Sequence, residues 1–331
     1  MFNWWNPVNG VTRSPLTVQF GQKTKPASSD NAFKTFNQLG NDNLDRFFYN
    51  LETFDLDRVE RMSSEQGSVI YVPSDRNANL VECADATELF ERFPDVGAIT
   101  VAGVGSSAVG AVGLARDVAD STKLSVAAVV SGCGLLDAAW EGFGGWMFLR
   151  EDNQLEFFLE KTRNALLAAG LFPGFQPLIE TWDSIGCGPD IVTLKSLLRK
   201  NQLGQNRLKS LKMIVGHSKG NLVIASALSE LTLEKKLMEM GEVNIVLLSA
   251  VTALPPGVGR QHQYLGTMDA LGILNSRIAV HYKPVPGAMH WLNRKLPFHL
   301  DARTAIREAA RLGQPRKQAY NIALARSSAS F

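Results

Sequence analysis

The sequence predicts an α/β fold built on a doubly wound, mainly parallel sheet, and three observations carry that prediction. From residue 67 onward, short apolar runs alternate with stretches of helical spacing, as in a parallel sheet covered by helices on both faces. One run, Met213-Ile214-Val215, passes through Gly216-His217-Ser218-Lys219-Gly220 directly into a helical pattern, a strand–turn–helix unit. The composition agrees: 331 residues, 45% apolar and 20% charged, describe a globular chain long enough for one large domain or two small ones.

The elements follow in order. Residues 1–42 are rich in Asn, Gly, Pro, Ser and Thr and lack periodicity, so they read as a loosely structured arm. Trp4 and Trp5 are available to anchor it, to the body in preference to a partner. Leu44, Phe47, Phe48 and Leu51 give residues 43–62 a short amphipathic helical pattern. Strands are expected at 67–73, 97–102 and 124–130, with helices at 83–93 and 107–119 between them. The gap before the next strand is too long for one crossover, so residues 135–188 form an insertion. It is dense in aromatic residues, among them Trp140, Trp146, Phe157, Phe158 and Trp182. Those rings either build the insertion's own core or line an acyl pocket, a lid or a subunit interface. Strand 212–216 and helix 219–232 come next, then strands at 243–249, 263–268 and 278–283 and a closing helix at 301–312. No internal repeat or low-complexity segment is present.

Bulk charge and cysteine usage narrow the function class. A formal net charge of +2 argues against a nucleic-acid binder working through a basic field. Three cysteines, Cys83, Cys133 and Cys187, have neither CxxC nor metal-site spacing and suit buried thiols in a reducing compartment. The N-terminus carries no basic-then-apolar leader, and no apolar run reaches the length of a membrane span. The expectation is a cytoplasmic protein without metal, cofactor or transmembrane segment. Arg303, Arg307, Arg311, Arg316 and Lys317 form a basic stripe near the C-terminus, read as a solvated face in preference to a contact with anionic lipid.

The chemistry concentrates at residues 216–220. G-x-S-x-G between strand and helix is the pattern of a serine nucleophile on a sharp turn, where both glycines avoid collisions with the flanking elements. The pattern alone arises often by chance, so its setting decides. Leu222, Val223, Leu228 and Leu231 recur at helical spacing behind it, with Ala225, Ser226 and Ala227 small enough for close packing on a sheet. A serine nucleophile needs a base to take its proton and an acid to orient the base. Between Val243 and Leu300 the only carboxylate is Asp269, at the end of a short apolar run. Downstream histidines are His281, His290 and His299. His281 falls within a strand pattern and His299 at the start of the last helix. His290 lies past the strand in a loop and is preferred over His299. His217, inside the turn, reads as a support or packing residue. For the oxyanion, one backbone N–H is expected from Lys219 and another from the Gly103-Val104-Gly105 loop, Val104 before Gly105.

Together these residues resemble the α/β-hydrolase superfamily. The Gly103 loop, the Val-Val-Ser-Gly-Cys-Gly turn at 129–134, the turn at 216–220, Gly-x-x-Asp at 266–269 and Gly-x-x-His-Trp at 287–291 occur in that family's order. The resemblance covers about 65–312, leaving an arm and helical stretch at 1–64 and a tail at 313–331. It implies Ser218 as nucleophile, Asp269 as acid and His290 as base, with no cofactor. The Gly-His-Ser-x-Gly form, common among lipases, points toward acyl esters; a small-molecule or lipid-like substrate with an apolar acyl group is expected, and the same machinery serves amides, thioesters and lactones equally well. The chain departs from the family in Ala102-Gly103 where His-Gly is usual, in an insertion before the nucleophile strand, and in a charged Lys219. Two other readings compete. Gly103-Val104-Gly105-Ser106-Ser107-Ala108 is a GxGxxA after a strand, a dinucleotide fingerprint, although the following strand ends in Val130-Ser131 without the expected acid. A non-catalytic relative acting through protein contacts by way of the aromatic insertion is the other; on either reading the 135–188 insertion is also available as an oligomer interface.

Overall fold

The computed structural model describes residues 45–51, 56–63, 65–103, 105–131, 188–199, 210–277 and 279–312. The arm before residue 45, the aromatic insertion up to residue 187, the C-terminal tail and Val104 lie outside these described residues. Among them, strands β1 (Val69–Val72), β2 (Val81–Cys83), β3 (Val96–Val101), β4 (Ser125–Val129), β5 (Met213–His217), β6 (Asn244–Leu248), β7 (Arg260–Gly266) and β8 (Lys283–Val285) form one sheet. Its order is β2-β1-β4-β3-β5-β6-β7-β8. β1 runs antiparallel to both β2 and β4, and every other pairing is parallel. Helices α1 (Leu56–Val59), α2 (Ala86–Arg92), α3 (Ala108–Thr122), α4 (Pro189–Leu198), α5 (Lys219–Leu233), α6 (Ala270–Leu274) and α7 (Ala302–Leu312) complete the described elements. This is the doubly wound, mainly parallel α/β architecture that the alternating pattern predicts.

The core explains why the central strands are apolar throughout. All residues of β3, β4, β5 and β6 are buried, because both faces of the sheet are covered. On one face α3 and α7 bring Val109, Val112, Ala305 and Ile306 into the cluster that holds Ala98, Val126, Val215 and Val246. On the other, α2, α4 and α5 bring Leu89, Leu194, Leu197 and Leu228 together with Ile99, Ile214, Ile245 and Leu247. Each fully buried leucine or isoleucine contributes about 1.5–3 kcal/mol. Arg303 of α7 locks that helix to α3 through Asp117 at 2.6 Å and Asp120 at 2.9 Å. Residues 45–51 and 56–63, grouped with the arm on sequence, contribute Tyr49 and Val59 to the first cluster.

The C-terminal end of the sheet differs in detail from the expectation. Ile278-Ala279-Val280 reads as a strand, but β8 starts only at Lys283, and His281 is exposed ahead of it. The backbone instead turns there, with Val280 N–H bonded to Arg277 O at 2.8 Å. β8 is an edge strand, where Pro284 is tolerated. β2, α1 and α6 are too short to carry periodicity. α4 opens at Pro189, directly after the expected insertion, with proline where no intrahelical N–H is needed.

The topology places one crevice. The connection after β3 runs to β4 on one side and that after β5 to β6 on the other, so the carboxyl ends of β3 and β5 flank a switch point. Gly103 follows β3 and Ser218 follows β5; a Cβ built on Gly103 would lie 3.5 Å from the Ser218 Cβ.

Candidate active site

Ser218 sits between β5 and α5 with φ 53° and ψ −119°, a left-handed backbone that a non-glycine residue rarely adopts. It occupies the N-cap position of α5, yet its side chain makes no capping bond. A serine there ordinarily accepts from the helix's own N–H groups. The turn leaves no room for side chains on either flank. A Cβ on Gly220 would lie 2.1 Å from Val101 O, and one on Gly216 2.4 Å from the Asn221 side chain. Asn221 ties the turn to the end of β6 by donating to Leu248 O at 2.9 Å and Ala250 O at 2.7 Å.

Asp269 follows β7 and caps α6, accepting from Gly272 N–H at 2.6 Å. Gly272 must lack a side chain, since its Cβ would lie 2.4 Å from the Asp269 carboxylate and from Ser249 O. Turn capping and orientation of a histidine are therefore both met by this carboxylate. His290, on the loop after β8, has Nδ1 at 2.8 and 2.9 Å from the two Asp269 oxygens and Nε2 at 2.9 Å from Ser218 Oγ. Because a carboxylate only accepts, Nδ1 carries the proton. Nε2 is the ring atom left to accept a hydrogen bond from the Ser218 hydroxyl. All three side chains are buried, Ser218 at 3%, Asp269 at 1% and His290 at 6% exposure, so the polar chain works in a low-dielectric setting.

The other nominated residues are placed differently. His299 bonds through Nδ1 to Leu296 O at 3.0 Å and is not joined to Ser218. Lys219 opens α5 beside the serine, so its backbone N–H belongs to the helix's positive end. Its buried ammonium donates to Ser131 O at 3.2 Å and lies 3.6 Å from Asp190. Gly105 has φ 66° in the loop before α3. The Gly103 N–H of that loop is engaged by Tyr49 Oη at 2.7 Å.

The dinucleotide fingerprint meets an obstacle at α3. A pyrophosphate would need the N-terminal N–H groups of that helix. Asp45 already occupies that end: one carboxylate oxygen accepts from Ser107 N–H at 2.8 Å, Ser107 Oγ at 2.7 Å and Gly110 N–H at 3.0 Å. Among the described residues no group of three or more His, Cys, Asp or Glu is arranged to hold a metal ion, and no helix is long and apolar enough to cross a membrane.

Sequence reasoning missed the segment at 45–49. Phe48 sets its ring edge-on to His290, with centroids 5.9 Å apart, and its carbonyl accepts Leu292 N–H at 2.8 Å. Tyr49 and Asp45 reach the loop before α3. The aromatic cluster at 47–49 was the available signal, but helical spacing alone assigns it to packing.

No protein-family model matches this sequence, and no curated protein matches it. A crystal structure of an esterase/lipase from an uncultured bacterium aligns over 84% of this chain and 97% of its own, with 9% identity and a TM-score of 0.34.

Proposed function

We propose that this protein is a serine hydrolase of carboxylic esters, with Ser218 as nucleophile, His290 as general base and Asp269 orienting the imidazole. The observation that carries the reading is the continuous hydrogen-bonded chain from Asp269 through His290 to a serine on a left-handed backbone. Strain at that position is the kind that persists where surrounding structure enforces it for function. In the proposed cycle His290 Nε2 takes the Ser218 proton as Oγ attacks the ester carbonyl. The developing oxyanion is held by Lys219 N–H at the start of α5 and by an N–H of the Val104–Gly105 loop. His290 then protonates the leaving alkoxide, giving an acyl-enzyme and free alcohol. It next deprotonates a water that attacks the acyl carbonyl, and returns that proton to Ser218 Oγ as the acyl–oxygen bond breaks and the acid is released.

An apolar, lipid-like acyl group is the proposed substrate class. It is supported by the aromatic density of residues 135–188 in the sequence and by the Phe48 ring against His290. The dinucleotide reading is disfavoured by the Asp45 carboxylate at the N-terminus of α3. Turnover of p-nitrophenyl esters of graded chain length tests the proposal. Wild type is expected to hydrolyse them, with longer acyl chains preferred over acetate. Ser218→Ala is expected to lose activity by about 10⁴-fold or more. Equal activity in wild type and Ser218→Ala contradicts the role of Ser218, and no turnover across the series contradicts the ester reading.

A further inference from the structure

Tyr49 lies far from β3 and β5 in sequence, yet its hydroxyl sits between the loop that follows β3 and His217, the last residue of β5. It is 2% exposed and, among the described residues, meets Gly103 N–H at 2.7 Å, Ser106 Oγ at 3.3 Å and His217 Nδ1 at 2.9 Å. His217 is 1% exposed, and its Nε2 lies 3.0 Å from the backbone carbonyl of His290. That carbonyl also accepts from Ser249 Oγ at 3.2 Å.

The direction of every bond in this network follows from valence. A carbonyl oxygen only accepts, so His217 carries its proton on Nε2. Burial holds the ring neutral, with its pKa lowered from 6.5 to about 3, so Nδ1 is bare and accepts. Tyr49 O–H is therefore the donor to His217. Its oxygen lone pairs are left for Gly103 N–H and Ser106 O–H. The chain runs one way, from the loop before α3 through Tyr49 and His217 to the main chain of His290.

We propose that Tyr49 is a positioning residue: through His217 it fixes the backbone of His290, and through Gly103 and Ser106 it fixes the loop proposed to supply an oxyanion donor. This rests on the reading of Ser218 and His290 as nucleophile and base. Tyr49 thereby couples the two halves of the proposed machinery across a sequence separation of 168 residues between Tyr49 and His217. Asp45 holds the same segment against α3, so residues 45–49 work as one clamp. Phenylalanine at 49 removes the donor to His217 and leaves Gly103 N–H without its acceptor. His217 then loses one of the two hydrogen bonds that fix its ring, and the His290 carbonyl loses a firmly held donor.

The experiment compares wild type, Tyr49→Phe, His217→Gln, His217→Leu and a remote control, Tyr71→Phe. Tyr71 is a buried tyrosine that bonds Ser125 at 3.1 Å, with no contact to the site. Steady-state ester kinetics should show kcat reduced about 10- to 100-fold in Tyr49→Phe with KM within about 3-fold, the signature of misplaced groups and intact ground-state binding. His217→Gln, which keeps an N–H donor toward the His290 carbonyl, should retain more kcat than His217→Leu by about 10-fold. Tyr71→Phe should keep wild-type kcat. Nitrogen NMR of the imidazoles should find His217 as the neutral Nε2–H form in wild type. A kcat for Tyr49→Phe within about 2-fold of an active wild type overturns the positioning role and leaves the hydrolase reading standing. A proton on Nδ1 of His217 overturns the network itself. A wild type that turns over no ester and reacts with no serine-directed phosphonate overturns the reading of Ser218, and the positioning role falls with it.

Discussion

The Asp269 carboxylate is held from two sides, by His290 Nδ1 at 2.8 and 2.9 Å and by the Gly272 N–H of α6 at 2.6 Å. Asp269→Asn keeps an oxygen for Gly272 but can offer an N–H toward His290, which favours the tautomer with its proton on Nε2. The variant should therefore fold normally and lose about 10²- to 10⁴-fold in kcat/KM at neutral pH. Ester kinetics with a thermal melt check both halves. Unchanged kinetics would remove Asp269 from the proposed mechanism.

The turn that carries Ser218 tolerates no Cβ on its flanks. Gly220→Ala places a methyl 2.1 Å from Val101 O, which is rigid backbone. The expected cost is about 3 kcal/mol or more, measured as a shift of the urea midpoint. Gly241→Ala, with nothing within 4 Å of its Cβ, should stay within about 0.5 kcal/mol of wild type.

The buried ion pair beside the turn gives an asymmetric prediction. Lys219 and Asp190 side chains are 7% and 1% exposed and 3.6 Å apart. Lys219→Met leaves the Asp190 carboxylate with the Ser131 hydroxyl and Ile191 N–H but without its cation, and should cost about 3–5 kcal/mol. Lys219→Met with Asp190→Asn should recover most of that loss in chemical denaturation. Additive costs would contradict coupling between the two residues.

Two buried groups tilt stability with pH in opposite directions. Burial pushes the Asp45 carboxyl from 3.8 up to about 7, against the pull of the Ser107 and Gly110 donors. The folded state therefore holds that proton more tightly. The associated stability is full below pH 3.8 and is lost as pH rises through 7, at up to about 1.4 kcal/mol per pH unit. Burial lowers His217 from 6.5 to about 3, so its contribution is full above pH 6.5 and is lost as pH falls toward 3. Unfolding free energies across pH 4–8 should show that Asp45→Asn reduces the first slope, to which buried Asp117, raised from 3.8 to about 6, also contributes, and that His217→Gln reduces the second. A wild-type slope retained in either variant contradicts the assignment.

The sheet was legible because each central strand is an uninterrupted apolar run, as burial on both faces requires. Ser218, Asp269 and His290 were nominated from loop positions after β5, β7 and β8, and the structure places them in one hydrogen-bonded chain. Tyr49 was not legible. Its partners are Gly103 and His217, and nothing local to residue 49 encodes a contact so distant in sequence. The capping function of Asp45 at α3 was hidden for the same reason, since Ser107 alone looks like a sufficient N-cap. His281 was misplaced because Ile278-Ala279-Val280 has strand composition, while the backbone turns there before β8.

Activation of Ser218 as a nucleophile predicts stoichiometric reaction with a fluorophosphonate. Intact mass spectrometry of wild type should show one adduct, mapped by peptide analysis to Ser218. Ser218→Ala should show none, and His290→Ala should react at least about 100-fold more slowly. An unmodified wild-type protein, or an adduct that persists in Ser218→Ala, would contradict it.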